Sequence, residues 1–369
     1  ARYLLGRQAQ KRGDGAAALI ELQRALDLKH PDSIVVPAIA KSLLAQGKFK
    51  QIVDEFGKTE LSDKVTTAEL QGLVAQAMHL DGDHQGAIAL INKAAVAAPA
   101  SEPVLLTKAS FEAQAGRAEQ AVTVLDSLIA QKPDSHLAWT MKGNVLGVMP
   151  DKRAAAMDAF RKALDLKPAE IAPRTGLIAL SLQAGDLATA TKELAALQNQ
   201  APKHPNTLFY EASLAYANGK YTEAQSLYQA VLRVMPLQPA VLLGAAENEL
   251  KLNAMAQAET LAAKALNQSP DNLRARQLLA QIYLRMGQPT KAIASLASLV
   301  DSPRATPESL AFAAQAQLMN GNVSAADQLY SRMAKLKPTD PALRTLLATA
   351  SLGKSSNEQA FETLQSFSA

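Results

Sequence analysis

The sequence predicts an all-α fold, a right-handed superhelical solenoid of about ten to eleven helix–turn–helix repeats. Three observations carry that reading. The first is the stretch Pro205 to Gln238, PNTLFYEASLAYANGKYTEAQSLYQAVLRVMPLQ, which is 34 residues long and reads as two short helices. Leu208, Ala212, Ala215 and Tyr216 form one apolar stripe at helical spacing, and Tyr221, Ala224, Leu227, Tyr228 and Val231 form a second. Asn218 and Gly219 break the pattern between them, because both tolerate positive φ, and Pro236 stops the second helix. The second observation is a pair of alanine series with a step of 34: Ala212, Ala246, Ala280, Ala314, Ala348, and Ala190, Ala224, Ala258, Ala292, Ala326, Ala360. The third is that Pro168, Pro202, Pro236 and Pro270 keep the same step, with Pro338 two steps further on.

A helix pair of this length, with its small residues, aromatics and closing proline, resembles the tetratricopeptide repeat. The residue types have a physical reason. Ala212 and Ala224 sit where two helix backbones approach closely, so a longer side chain would overpack the contact. Tyr228 and its equivalents Phe160, Leu194 and Leu296 fill the space beside them. Each pair alone leaves apolar surface in water, so stacked neighbours make the core.

In order, the repeats run over about 1–32, 33–67, 68–101, 102–135, 136–170, 171–204, 205–238, 239–272, 273–306, 307–340 and 341–369, forming one continuous solenoid over residues 1–369. In the first repeat Gly6, Ala18, Leu22 and Ala25 hold the repeat positions. Its basic first helix is read as a solvated end, with a basic contact site as the alternative. In the second, Ile52 replaces the usual alanine and EFGKTELSDKV lengthens the connection. The third and fourth keep the pattern through Ala87, Ile91, Ala121 and Leu125. The fifth holds the only tryptophan, Trp139, and one extra residue in its turn GVMPDKR, so Ala121 to Ala156 is 35 rather than 34. The ninth ends in the longer connection DSPRATP, and the last keeps Leu347, Ala348, Ala360 and Leu364 in register. The chain opens inside a helix, ARYLLGRQAQKR, and closes without a polar capping helix. Both ends read as cuts in a longer array.

Composition bounds the function. With 369 residues, 48% of them apolar, the chain exceeds one compact core unless it grows along one axis. A net charge of +4 is mild for this length and argues against a nucleic-acid partner. The absence of cysteine excludes disulfides, thiolate metal sites and a cysteine nucleophile. No apolar run reaches the roughly 18 residues of a spanning helix.

Catalytic and metal motifs are missing. His79 and His84 are five apart, which does not align two ligands on one helix face. Asp81-Gly82-Asp83-His84 has the composition of a metal loop but occupies the repeat's turn, and no calcium-loop spacing follows. Gly143 in GNVLG is the small packing position of its helix. No phosphate loop, nucleophile elbow or HExxH is present. The expectation is therefore no enzyme, no cofactor and no metal.

In tetratricopeptide proteins the first helix of each pair lines the concave groove. Its inward positions are those one, four, eight, eleven and twelve residues after the unit's start. Repeats seven to nine then present Phe209, Tyr216, Glu247, Lys251, Arg274, Gln281 and Arg285 as the partner-binding site. Tyr216, Leu250 and Leu284 form one row, and Ser213, Glu247 and Gln281 a parallel one. Arg274 and Arg285 lie eleven apart on one side of a helix with their positive ends near Glu247 and Lys251, giving a mixed surface with a basic bias. Aromatic and Arg side chains are those that make hot spots. A protein or an extended acidic or amide-rich peptide is the expected partner, with a polysaccharide as the second candidate. The carboxylate clamp of chaperone-binding members is not reproduced.

Three segments carry a narrower resemblance: IVVPAIAKSLLAQGKFKQIVDEF at 34–56, NLRARQLLAQIYLRMGQPTKAIASLASLV at 272–300 and DPALRTLLA at 340–348. They resemble the long bacterial tetratricopeptide lipoproteins encoded with exopolysaccharide biosynthesis and the exosortase (PEP-CTERM) sorting system, often called PrsT. The resemblance implies a non-catalytic scaffold in exopolysaccharide biosynthesis or export, or in exosortase-linked protein sorting. It also implies a periplasmic, outer-membrane-associated location in the full-length protein. This sequence lacks the lipid-bearing cysteine of such a protein, which leaves a cytoplasmic location open. The alternatives are a polysaccharide-binding repeat protein and a generic adaptor or co-chaperone.

Overall fold

Twenty α-helices and no strand make up the described residues, 1–303 and 305–336, of a computed structural model. They follow one another as pairs. The first pairs are α1 (Arg2–Lys11) with α2 (Gly15–Asp27), α3 (Asp32–Ala45) with α4 (Phe49–Phe56), and α5 (Lys64–Leu80) with α6 (His84–Ala97). Then come α7 (Glu102–Gln114) with α8 (Ala118–Gln131) and α9 (His136–Gly147) with α10 (Arg153–Leu166). The helix α11 (Ile171–Ala184) precedes α12 (Leu187–Gln200). The later pairs are α13 (Pro205–Ala217) with α14 (Tyr221–Val234) and α15 (Pro239–Lys251) with α16 (Met255–Gln268). The last two are α17 (Leu273–Arg285) with α18 (Pro289–Val300) and α19 (Pro307–Met319) with α20 (Val323–Leu336). The chain divides into two units between Leu180 and Ser181, inside α11. Of the residues expected to continue the pattern, Pro338, Leu347, Ala348, Ala360 and Leu364 lie outside the described residues, as does the segment 340–348.

The turns are made by one recurring backbone state. In all ten pairs the residue two before the second helix has positive φ, from 59° at Asp151 to 102° at Gly82. Eight of these residues are glycine, and the other two are Asp151 and Asn253, types whose short side chains tolerate the left-handed region. The helix starts are equally local in origin. Asp14, Asp63, Asp83, Asp186 and Asn272 each accept a backbone N–H of the first turn, and Pro205, Pro239, Pro289 and Pro307 open their helices where no N–H is needed. Asp83 is therefore the N-cap of α6, which accounts for the Asp81–His84 loop without a metal.

Packing follows the alanine series. Ala212, Ala246, Ala280 and Ala314 in the first helices, and Ala190, Ala224, Ala258, Ala292 and Ala326 in the second, are all fully buried. Ile52 takes the same place in α4 and is fully buried too. Beside them Leu22, Ile91, Leu125, Phe160, Leu194, Tyr228 and Leu296 fill the interior. Apolar clusters run from each pair into its neighbours: Ala212, Ala224 and Tyr228 with Val241 and Ala245, and Ala280, Leu284, Ala292 and Leu296 with Leu310 and Ala314.

Around Phe160 the neighbours on both adjoining helices shrink to glycine. A Cβ on Gly143 would lie 2.5 Å from the Phe160 ring, and one on Gly176 would lie 2.4 Å from it, closer than any contact permits. Gly176→Val is accordingly expected to lose about 1–3 kcal/mol in a urea titration, because the ring has helix on both sides and cannot yield. Phe160→Leu on that background should recover part of the loss.

Candidate functional site

In the second unit the first helices α13, α15, α17 and α19 are held one repeat apart by their buried alanines. Register alone then brings their outward positions into rows. Between them lies a cavity of about 410 Å³. Tyr216, Glu247, Lys251, Gln281 and Arg285, all sequence-predicted, line it, together with Leu250. The side chains that sequence reasoning did not single out are Leu278 and, from α19, Glu308 and Phe312. Leu278 and Phe312 are each five residues beyond their helix start, one residue past the inward phase.

Arg274 meets Glu247, the neighbour its helical phase gives it, as a closed ion pair. Its guanidinium grips Glu247 with two bonds, Nε to Oε1 at 2.7 Å and Nη2 to Oε2 at 2.6 Å. The fork matches the carboxylate edge, so this cation is already engaged and the expected basic bias is smaller than the residue count implied. The unengaged positive charge at the cavity belongs to Lys251, which is exposed, and to Arg285. Arg285 is steadied by a long 3.4 Å contact from Nη1 to the Leu250 carbonyl.

Phe209 lies outside this cavity. It packs edge-on to Tyr228, with ring centroids 6.3 Å apart, and against Tyr210 at 5.1 Å, within the core cluster of α13 and α14. Leu284 likewise is buried in the core rather than in the groove row. Tyr216 is half-buried and tilts on Tyr221 at 5.6 Å. Burial, aided by the nearby Glu247 charge, raises its phenol above the ordinary range. Burial pushes the Tyr228 phenol up to about 12. Both rings therefore carry neutral hydroxyls at physiological pH and act as donors and apolar surface rather than as acid–base groups.

In the first unit a second cavity of about 560 Å³ opens on the first helices α3, α5, α7 and α9. Its walls are more apolar, including Leu44, Leu73, Leu106 and Met141, with Lys41, Gln76 and Gln114 as polar groups. His79 lies over Phe111 with centroids 4.8 Å apart, and its Nε2 meets Gln114 Oε1 at 2.9 Å. The turn folds His84 back so that its Nδ1 lies 3.1 Å from His79 Nδ1, a contact their five-residue spacing conceals. Among the described residues no group of three or more His, Cys, Asp or Glu could hold a metal ion, and no helix is long and apolar enough to cross a membrane.

These features agree with comparison to known proteins. One tetratricopeptide repeat model matches residues 78–145 and 256–316, and a second matches 209–272. No curated protein matches the chain by sequence. Among solved structures, the chain resembles the Cut9–Hcn1 hetero-tetramer of the APC/C at TM-score 0.61 and 14% identity, covering 99% of this chain and 79% of that one. Yeast Tom70 matches at TM-score 0.53 and 14% identity, covering 99% of this chain and 91% of that one. At these identities the likeness concerns the fold alone. The fold, the repeat register and the two family models agree that this chain is a tetratricopeptide repeat protein.

Proposed function

We propose that this chain is a non-catalytic protein-interaction scaffold and that the groove on α13, α15, α17 and α19 takes an extended peptide segment. One observation carries the reading: Tyr216 and Phe312 face the same cavity as Lys251, Arg285, Gln277 and Gln281. Aromatic rings supply apolar contact area, the amides can pair with an extended backbone, and the two cations favour acidic side chains. A sugar chain is the weaker fit, because stacking on sugars wants several rings along the groove and Phe209 is committed to the core. The groove sequence therefore favours an acidic or amide-rich segment. Screening an immobilised library of such peptides against the chain should yield binders whose affinity falls with added salt. Binding to a glycan array without any peptide binder would reverse the assignment.

The finer setting is the bacterial cell envelope, in exopolysaccharide biosynthesis or export, or exosortase-linked sorting. It rests on the resemblance of segments 34–56, 272–300 and 340–348, while the comparisons support the repeat alone. Crosslinking pull-down from a native envelope tests it. Recovery of sorting or polysaccharide-assembly proteins is the expected result, and recovery of cytosolic partners alone would reject it.

A further inference from the structure

The second helices carry a different kind of pocket. Between α14 and α16, over α15, lies a cavity of about 480 Å³, within the range of small-ligand sites. Its walls are largely apolar, with Tyr228, Leu232, Ala245 and Leu261 among them. Into this lining comes one carboxylate, Glu249, which is only 6% exposed. Among the described residues its sole side-chain partner is the Gln225 amide, whose Nε2 lies 2.9 Å from both carboxylate oxygens. No cation pairs with Glu249 among the described residues. A buried carboxylate so placed wants a positive partner, since desolvation is costly unless a charge or several donors offset it.

The next notch along the chain assembles a carboxylate, a ring and an ammonium, with the carboxylate on the second helix and the ring on the first. One repeat on, Gln225 becomes Glu259, Glu249 becomes Tyr283 and Gln257 becomes Lys291. There the Tyr283 hydroxyl donates to Glu259 at 3.0 Å. The Lys291 ammonium lies 5.2 Å from the centroid of the Tyr283 ring and 3.8 Å from Glu259. That notch thus holds its carboxylate, its ring and its own ammonium. The Glu249 notch holds the carboxylate and the Tyr228 ring, but Gln257 stands where the lysine would be.

We infer that the α14–α16 notch is a binding site for a primary ammonium on an aliphatic stem, carried by a free amine or by a lysine side chain. An ammonium suits it better than a guanidinium. Gln225 already occupies the shared edge of the carboxylate, leaving single outer lone pairs that a point charge can use and a planar fork cannot. The apolar walls take the stem.

Calorimetric titration of the full chain tests this with three probes: 1,5-diaminopentane, Nα-acetyl-lysine N-methylamide and uncharged pentan-1-ol. At least one of the two amines should bind and the alcohol should not. Preference for the diamine identifies a free amine as the source, and preference for the amide-flanked lysine identifies a protein side chain. Glu249→Gln should weaken amine binding by about tenfold or more. Gln257→Lys supplies the ammonium internally, as Lys291 does next door, and should abolish binding while raising the melting temperature. Absence of amine binding to the unaltered chain, equal binding of the alcohol, or undiminished binding by a folded Gln257→Lys chain would each overturn the assignment.

Discussion

Ala224→Arg is expected to destabilise the second unit by about 3 kcal/mol or more. Ala224 is fully buried between Ala212, Ala215, Tyr228 and Val231, with the next pair contributing Val241 and Ala245. Two costs combine there. The guanidinium stem has no volume to enter, so α13 and α14 must separate. The charge has no carboxylate to meet inside an apolar cluster. Ser226, two residues on, is exposed on the same helix, and Ser226→Arg should change stability by no more than about 0.5 kcal/mol. Because each pair contacts only its neighbours, hydrogen exchange should localise the damage to α11–α16 and spare α19 and α20. Equal melting of the Ala224→Arg and Ser226→Arg chains would show that the repeat register has been misread.

The second large effect concerns the groove. Reversing both available cations, Lys251→Glu with Arg285→Glu, should weaken an acidic peptide by about 2 kcal/mol or more, because attraction becomes repulsion at both places. The fold should be untouched, since Lys251 and Arg285 are exposed. Arg274→Ala should behave differently. It frees the Glu247 carboxylate into the groove, so an acidic peptide should suffer even though Arg274 was never available to it. Adding Glu247→Gln to that variant should recover much of the binding. Fluorescence anisotropy at two salt concentrations separates these outcomes, because only the charge-dependent part declines with ionic strength.

The fold was readable because its determinants are local and periodic. A step of 34 in small residues states which positions must tolerate close backbones, and every described member of both alanine series is buried. Even Asn253 and Asp151 fit, since they stand where the turn demands positive φ. The same register gathers Tyr216, Leu250, Glu247 and Gln281 around one cavity, while Leu284, of the same expected row, goes to the core. What escaped was whatever depends on side-chain reach between elements. That Arg274 lies near Glu247 was legible from phase, but the closed fork against the carboxylate edge was not, because it depends on how far the guanidinium reaches. Phe209 has the phase of a groove residue, but the space beside Tyr228 claims it. Phe312 sits one position off the expected phase. His79 and His84 meet only because a turn reverses the chain between them, and Glu249 meets Gln225 across 24 residues.

The central claim is that partners bind on the first-helix groove of the second unit. A photo-crosslinking residue placed at Gln281, inside the groove, against one placed at Ser298, exposed on the second helix α18, tests it most directly. The expected result is crosslinking of an acidic or amide-rich segment from position 281, lost when Lys251 and Arg285 are reversed, with none from position 298. Crosslinking from position 298 that survives the reversal, with position 281 silent, would contradict it.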